Sequence, residues 1–340
     1  MAEGPRAPIA VSMGEPAGIG PDLILQLYAD REKHKLPPFI VVGNMAFLAA
    51  RARRLGLNLN FAATSVEGAN AAFPVSLPVL HIDGLVPDKP GETSPLSGKV
   101  VMESIARAVT ETLGGACRAV VTGPIHKAAL YTAGFKYPGH TEYLAALCAN
   151  GGPPMQPVMM MVHDDLRAVP LTIHVPLREV PGLISHKLIR DTALIVAHDL
   201  RTRFGIEQPS LALTGLNPHA GEAGTIGTED RDVIVPAANE LRHNGMLIDG
   251  PIAADSLFHL TSWRKYDAVI AMYHDQALIP IKTIAFDEAV NVTLGLPIVR
   301  TSPDHGTALG IAGTGKADIR SMVAAIRMAA QMVDARAKSA

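Results

Sequence analysis

Short apolar runs rich in Val, Ile and Leu alternate along the chain with longer stretches in which apolar residues recur every three or four positions. That alternation predicts an α/β fold with a largely parallel sheet. The runs at 9–13, 39–43, 119–122, 158–162, 169–174, 211–215 and 268–273 are predicted strands. They are apolar almost throughout rather than alternating, so most are predicted to be covered on both faces. Helical periodicity is clearest at 99–113, 141–149, 185–204, 230–244 and 318–337. In the first of these, Val101, Ile105, Val109 and Leu113 form a stripe suited to packing on a sheet. Ser185 and Gly205 supply start and stop signals for the third. Breaks rich in Pro and Gly fall at 86–97 and 151–157, and there is no internal repeat.

Composition narrows the class. The 340 residues are 48% apolar and 18% charged, enough for a large core and unlike a disordered chain. The length predicts two domains, or one large α/β unit with lobes. With 30 basic and 32 acidic side chains and no run of like charge, the chain lacks the footprint of a nucleic-acid binder. No apolar run approaches the ~20 residues that span a bilayer. The run at 9–13 is short and leads straight into Gly14-Glu15-Pro16, unlike a signal peptide. Two cysteines, Cys117 and Cys148, are too few for a disulfide framework or a Cys-based zinc site. A soluble cytoplasmic protein in a reducing compartment, with neither nucleic-acid nor membrane partner, is expected.

Histidine carries the candidate chemistry. Of 13 histidines, His34, His186, His198 and His243 lie in helical or charged surroundings and are expected at the surface. His174 closes a predicted strand, His219 sits in the turn GLNPHAG at 215–221, and His274 follows the strand at 268–273. Ligands of open α/β sheets bind at the carboxyl ends of strands. Three imidazoles there would share a divalent metal ion, or each would be hydrogen-bonded locally. Gly139-His140-Thr141-Glu142 opens a helix, whose N-terminus favours an anion; plain capping by Thr141 is the other reading. Lys282, Asn291 and Arg300 surround an apolar stretch, and the two cations would clamp a phosphate or form exposed salt bridges. Glycine-rich turns at 14–21, 122–127, 217–227 and 301–315 together suggest a wide polar cleft. The first joins a strand to a helix starting near Asp22, with Pro21 at its first position, but it is not G-x-G-x-x-G. A Rossmann dinucleotide site is therefore unsupported.

Six motifs in order, MGEPAGIGP (13–21), TGPIHK (122–127), GHTE (139–142), GLNPHAG (215–221), MYHDQ (272–276) and RTSPDHG (300–306), resemble those of the 4-hydroxythreonine-4-phosphate dehydrogenase family of pyridoxal 5′-phosphate biosynthesis. The resemblance runs from about residue 8 to about residue 335. It implies a two-lobed α/β/α fold like that of isocitrate and isopropylmalate dehydrogenases, with a cleft between the lobes and a dinucleotide bound without the Rossmann fingerprint. The lobes would comprise 1–130 plus 276–340, and 131–275. It also implies a homodimer whose active site is shared between subunits. The ligands of one divalent metal (Zn²⁺, Mg²⁺, Mn²⁺ or Co²⁺) match His174, His219 and His274. The phosphorylated substrate would meet His140, Thr141, Lys282, Asn291 and Arg300, and Asp255 matches an acidic active-site position.

The implied reaction is NAD- or NADP-dependent oxidation of 4-phosphooxy-L-threonine to 2-amino-3-oxo-4-phosphooxybutanoate, which decarboxylates to 3-amino-2-oxopropyl phosphate. Asp255 or Lys282 would accept the hydroxyl proton. Pro138, before Gly139, departs from the pattern and is shared with related enzymes that act on D-threonate or D-erythronate 4-phosphate; that is the alternative substrate class.

Overall fold

The computed structural model describes residues 6–339. Among them lie twelve strands: β1 (Ile9–Ser12), β2 (Phe39–Gly43), β3 (Phe61–Ala63), β4 (Leu77–His81), β5 (Val120–Thr122), β6 (Val158–His163), β7 (Leu166–Thr172), β8 (Ser210–Thr214), β9 (Leu247–Ile252), β10 (Ala268–Tyr273), β11 (Val290–Leu294) and β12 (Arg300–Pro303). The chain divides into two compact units. One runs to Pro157 and resumes over Leu296–Val333; the other holds Val158–Gly295.

In the first unit the strand order is β3-β4-β2-β1-β5-β12, and its strands pair in parallel. The chain leaves β1 toward β2 on one side and reaches β5 on the other, so the crevice beyond Ser12 and Thr122 is a topological switch point. β1, β2 and β5 are buried at every position, as their unbroken apolar runs predicted. The helix Pro95–Leu113 packs on β1 and β2 through buried Val101, Ile105 and Val109, whereas Leu113, at its end, is exposed.

The second unit has the order β11-β6-β7-β10-β8-β9. β7, β10, β8 and β9 run parallel; β6 pairs antiparallel with both β7 and β11. The β6–β7 reversal takes only Asp164 and Asp165, with Asp164 at φ 51°, as a two-residue hairpin demands. The core gathers Met161, Leu166, Val269 and Ile281 around Trp263, whose indole N–H donates to the Arg167 carbonyl at 3.3 Å.

Helix signals read from sequence are realised at His186–Phe204, where the Ser185 side chain accepts from the Leu188 N–H and Gly205 ends the helix at φ +69°. The stretch at 230–244 is not a single α-helix. It opens with a π turn, Asp230–Ile234, before Val235–His243. Pro236 has no N–H to close an ordinary α turn, and Asp230 is drawn aside by its own hydrogen bonds. No helix among the described residues is long and apolar enough to cross a membrane.

Candidate active site

Parallel pairing in the second unit brings two of the candidate histidines together. Tyr273 of β10 lies opposite Thr172 of β7, and the Thr172 hydroxyl donates to the Met272 carbonyl at 2.9 Å. The chain then leaves β7 at Ile173, so His174 lies beyond the strand rather than in it, with φ at +32°. His274 begins the helix His274–Ala285 directly after β10. The two rings face each other with centroids 5.6 Å apart and planes inclined by 40°. They line a cavity of about 250 Å³ together with Thr172, Tyr273 and Asp275 and the apolar Ile173, Val175, Leu177 and Val180.

His219 stands in the turn after β8, the strand beside β10. The base of that turn is tied by two residues without an assigned role in the sequence. Asp230, 2% exposed, accepts from the backbone N–H groups of Leu216 and Asn217 at 2.8 and 3.2 Å. Gln276 accepts through one oxygen from the Thr214 hydroxyl and the Met272 N–H, both at 2.7 Å, and donates to the Gly215 carbonyl at 2.8 Å. It thus staples the end of β8 to the end of β10. Above this base the residues from His219 to Ala223 all have positive φ, between 40° and 76°. Non-glycine residues rarely occupy that region, and strain of this kind collects at functional sites. His219 itself is 66% exposed at the side chain.

A divalent cation suits these imidazoles in donor chemistry. His219 Nδ1 meets Glu222 Oε1 at 2.7 Å and His274 Nδ1 meets Asp275 Oδ1 at 2.8 Å. A carboxylate on Nδ1 fixes the ring and leaves Nε2 as the basic nitrogen, the usual arrangement around a metal-ligating histidine. One chain by itself brings together the rings of His174 and His274; among the described residues, no three His, Cys, Asp or Glu side chains are grouped to hold a metal.

A second polar centre lies in the first unit. Arg300, 3% exposed, opens β12; its Nε and Nη2 donate to the Thr122 hydroxyl oxygen at 3.2 and 2.7 Å. Burial brings its pKa down to about 10. Arg300 is therefore a buried cation rather than half of an exposed salt bridge. His140 is held well below the ordinary imidazole range, first by burial and then by the charge of Arg300. Its Nε2 is shut off from water and has no hydrogen-bond partner. The helix His140–Ala149 has Gly139 as its N-cap and no side-chain cap, so Thr141 does not cap it but lies in the first turn. A buried guanidinium, an imidazole whose charged form is disfavoured and a helix N-terminus without a side-chain cap are groups suited to an anion.

Comparison with known proteins fits this picture. The family described as "Pyridoxal phosphate biosynthetic protein PdxA" matches residues 35–329. The chain belongs to the PdxA family. A relative from Methylorubrum extorquens named 4-hydroxythreonine-4-phosphate dehydrogenase is 52% identical over 95% of this chain and 93% of its own length. One of the same name from Bradyrhizobium diazoefficiens is 47% identical over 99% of this chain and 100% of its own. A crystal structure titled 4-hydroxythreonine-4-phosphate dehydrogenase, from Klebsiella pneumoniae, superposes with a TM-score of 0.84 at 34% identity, covering 96% of this chain and 99% of that one.

The remaining residues singled out for a PdxA-family site lie in the second unit. Lys282 is on the helix His274–Ala285, its ammonium 5.8 Å from the Phe286 ring centroid. Asn291 is half-buried in β11, opposite Met161. Asp255 is exposed on the short helix Ala254–Leu257, which packs against the turn that carries His219. Thr122, Asp230, Glu222 and Gln276 escaped sequence reasoning. Each acts through another residue, and only Gln276 and Thr122 stood inside quoted motifs.

Proposed function

We propose that the protein oxidises 4-phosphooxy-L-threonine at C3 with NAD or NADP, the keto acid then losing its C1 carboxylate to give 3-amino-2-oxopropyl phosphate. The observation that supports this reading is the buried Arg300 with His140 within reach of its charge at a helix N-terminus without a side-chain cap, an arrangement suited to a phosphate. The relatives' shared name fits it, and the sugar-acid phosphates are not favoured.

Arg300 binds the phosphate, with Thr141 and the first-turn N–H groups of the helix His140–Ala149 beside it, and Lys282 is proposed as a further substrate contact. Burial and the charge of Arg300 disfavour the charged form of His140, so it suits a hydrogen bond that adds no second charge to that of Arg300. Asn291 orients the substrate's polar backbone. Asp255, against the His219 turn, receives the C3 hydroxyl proton. A divalent ion held by His174, His219 and His274 would supply positive charge that makes the C3 hydroxyl more acidic, and all-nitrogen ligation favours Zn²⁺ or Co²⁺. A bound nicotinamide would supply the hydride acceptor. We place the complete site in a homodimer, as the family resemblance implies; within one chain the rings of His174 and His274 meet, and among the described residues no group of three His, Cys, Asp or Glu forms. The two buried free cysteines suit a reducing cytoplasm.

The deciding experiment follows nicotinamide absorbance with 4-phosphooxy-L-threonine, D-threonate 4-phosphate and D-erythronate 4-phosphate, each with and without a chelator. Metal-dependent reduction with the first substrate alone is expected. Reduction with the sugar-acid phosphates, or none with any substrate, overturns the reading. If the site is shared, mixing His219→Ala chains with His274→Ala chains should restore turnover that neither variant shows alone.

A further inference from the structure

We propose that Thr122 is a positioning residue for substrate binding: it sets the direction of the Arg300 guanidinium and thereby the affinity for the phosphate. This rests on the reading of Arg300 as a phosphate ligand.

In the β5–β12 pair, Arg300 stands opposite Val120. Thr122, two residues further along β5, is on the same face of the sheet. The Arg300 side chain therefore runs along the sheet toward the carboxyl edge and meets the Thr122 hydroxyl there. One oxygen accepts from both Nε and Nη2, which fixes the rotation of the planar fork as well as its position. Thr122 is itself fully buried, and as a β-branched residue at a strand end it has a stiff χ1. The acceptor cannot swing away, and water does not reach it to take its place.

The chemistry favours a hydroxyl here over a carboxylate. A carboxylate beside Arg300 would neutralise the charge on which a phosphate depends. A hydroxyl holds the fork in place and leaves it cationic. His140 lies within reach of the same fork's charge, which opposes its protonation. Thr122 touches neither substrate nor reacting atoms in this account, so its effect should appear in KM rather than in kcat.

The test is steady-state kinetics of the full-length enzyme with 4-phosphooxy-L-threonine, together with competition by inorganic phosphate. Thr122→Val keeps the shape and removes the acceptor. KM and the phosphate inhibition constant should both rise about ten-fold, the loss of a hydrogen bond to a charged group, while kcat stays within about two-fold. Thr122→Ser, which keeps the hydroxyl, should recover most of that affinity. If the valine variant does not fold, Thr122→Ala carries the same expectation without crowding the strand. Unchanged KM and phosphate inhibition in a folded variant overturn the proposal, as does a fall in kcat alone. Wild-type enzyme that fails to turn over the substrate overturns the underlying reading instead.

Discussion

Two glycine-bearing turns, one after β1 and one after β8, are anchored by opposite charges. The turn at 13–20 closes around Arg51, whose guanidinium donates to the carbonyls of Pro16 and Gly18 at 2.6 and 3.2 Å. Asp22 and Asp88 balance that fully buried cation at 2.6 and 2.7 Å, and Asp22 also accepts from the Gly313 N–H at 2.6 Å. Gly18 is required for contact: a Cβ there would lie 2.7 Å from the Thr307 carbonyl oxygen. The turn at 215–227 is held instead by a carboxylate, Asp230, which collects N–H groups at its base and leaves the outer arc left-handed and exposed. A cation that gathers carbonyls from inside locks the first turn into the core. A carboxylate that binds only the foot of the second frees its tip to carry His219. The first is foundation, and the second holds His219 out in a strained arc of the kind that collects at functional sites.

Arg51→Met should break this contrast most severely, because it strands Asp22 as a buried uncompensated charge. Urea denaturation should show a loss of about 3–5 kcal/mol, and a loss under about 1 kcal/mol would mean the turn is held by other contacts. Asp230→Ala should cost about 2–3 kcal/mol through unpaired backbone N–H groups, and should depress turnover by releasing the His219 arc. His219→Ala separates the two roles: turnover should vanish while unfolding free energy stays within about 0.5 kcal/mol of wild type. Glu222→Gln should weaken metal affinity about ten-fold by loosening His219, measurable by competition with a chromogenic chelator; unchanged affinity would remove the carboxylate from that role.

The smallest expected effect concerns pH. Burial pushes the Glu15 carboxyl above the ordinary carboxylate range, and its bond from Ala17 N–H and the charge of His126 offset this only in part. Between the ordinary range and the raised native value, the folded protein keeps a proton that the unfolded chain has released. Stability therefore falls as pH rises through that window. Glu15→Gln should flatten the slope in urea titrations across mildly acidic pH, and an unaltered slope would assign it to other groups.

How much of this was legible in the sequence depended on chemistry more than on distance along the chain. Long apolar runs such as 39–43 and 268–273 are strands at the predicted bounds, since full burial on both faces leaves an unmistakable pattern. β4 and β9 contain proline, β11 alternates and β12 reads RTSP, so none carried that pattern. The helix His274–Ala285 was masked by Pro280 in its interior. In the site, histidines at strand ends were visible because residue type and position coincide. The residues that aim them were not. An Asp, a Gln or a Thr becomes informative only when the fold shows which backbone groups it binds.

The opposed rings of His174 and His274 have a consequence for assembly of the protein. Their 5.6 Å approach exists only because Thr172 and Tyr273, 101 positions apart, sit side by side in register. Non-local strand pairing of this kind is among the slower acts of folding. A cation that is to meet both rings at once therefore has its two-ring site only after β7 and β10 have paired, and a protein that folds without metal would hold those rings ready for loading.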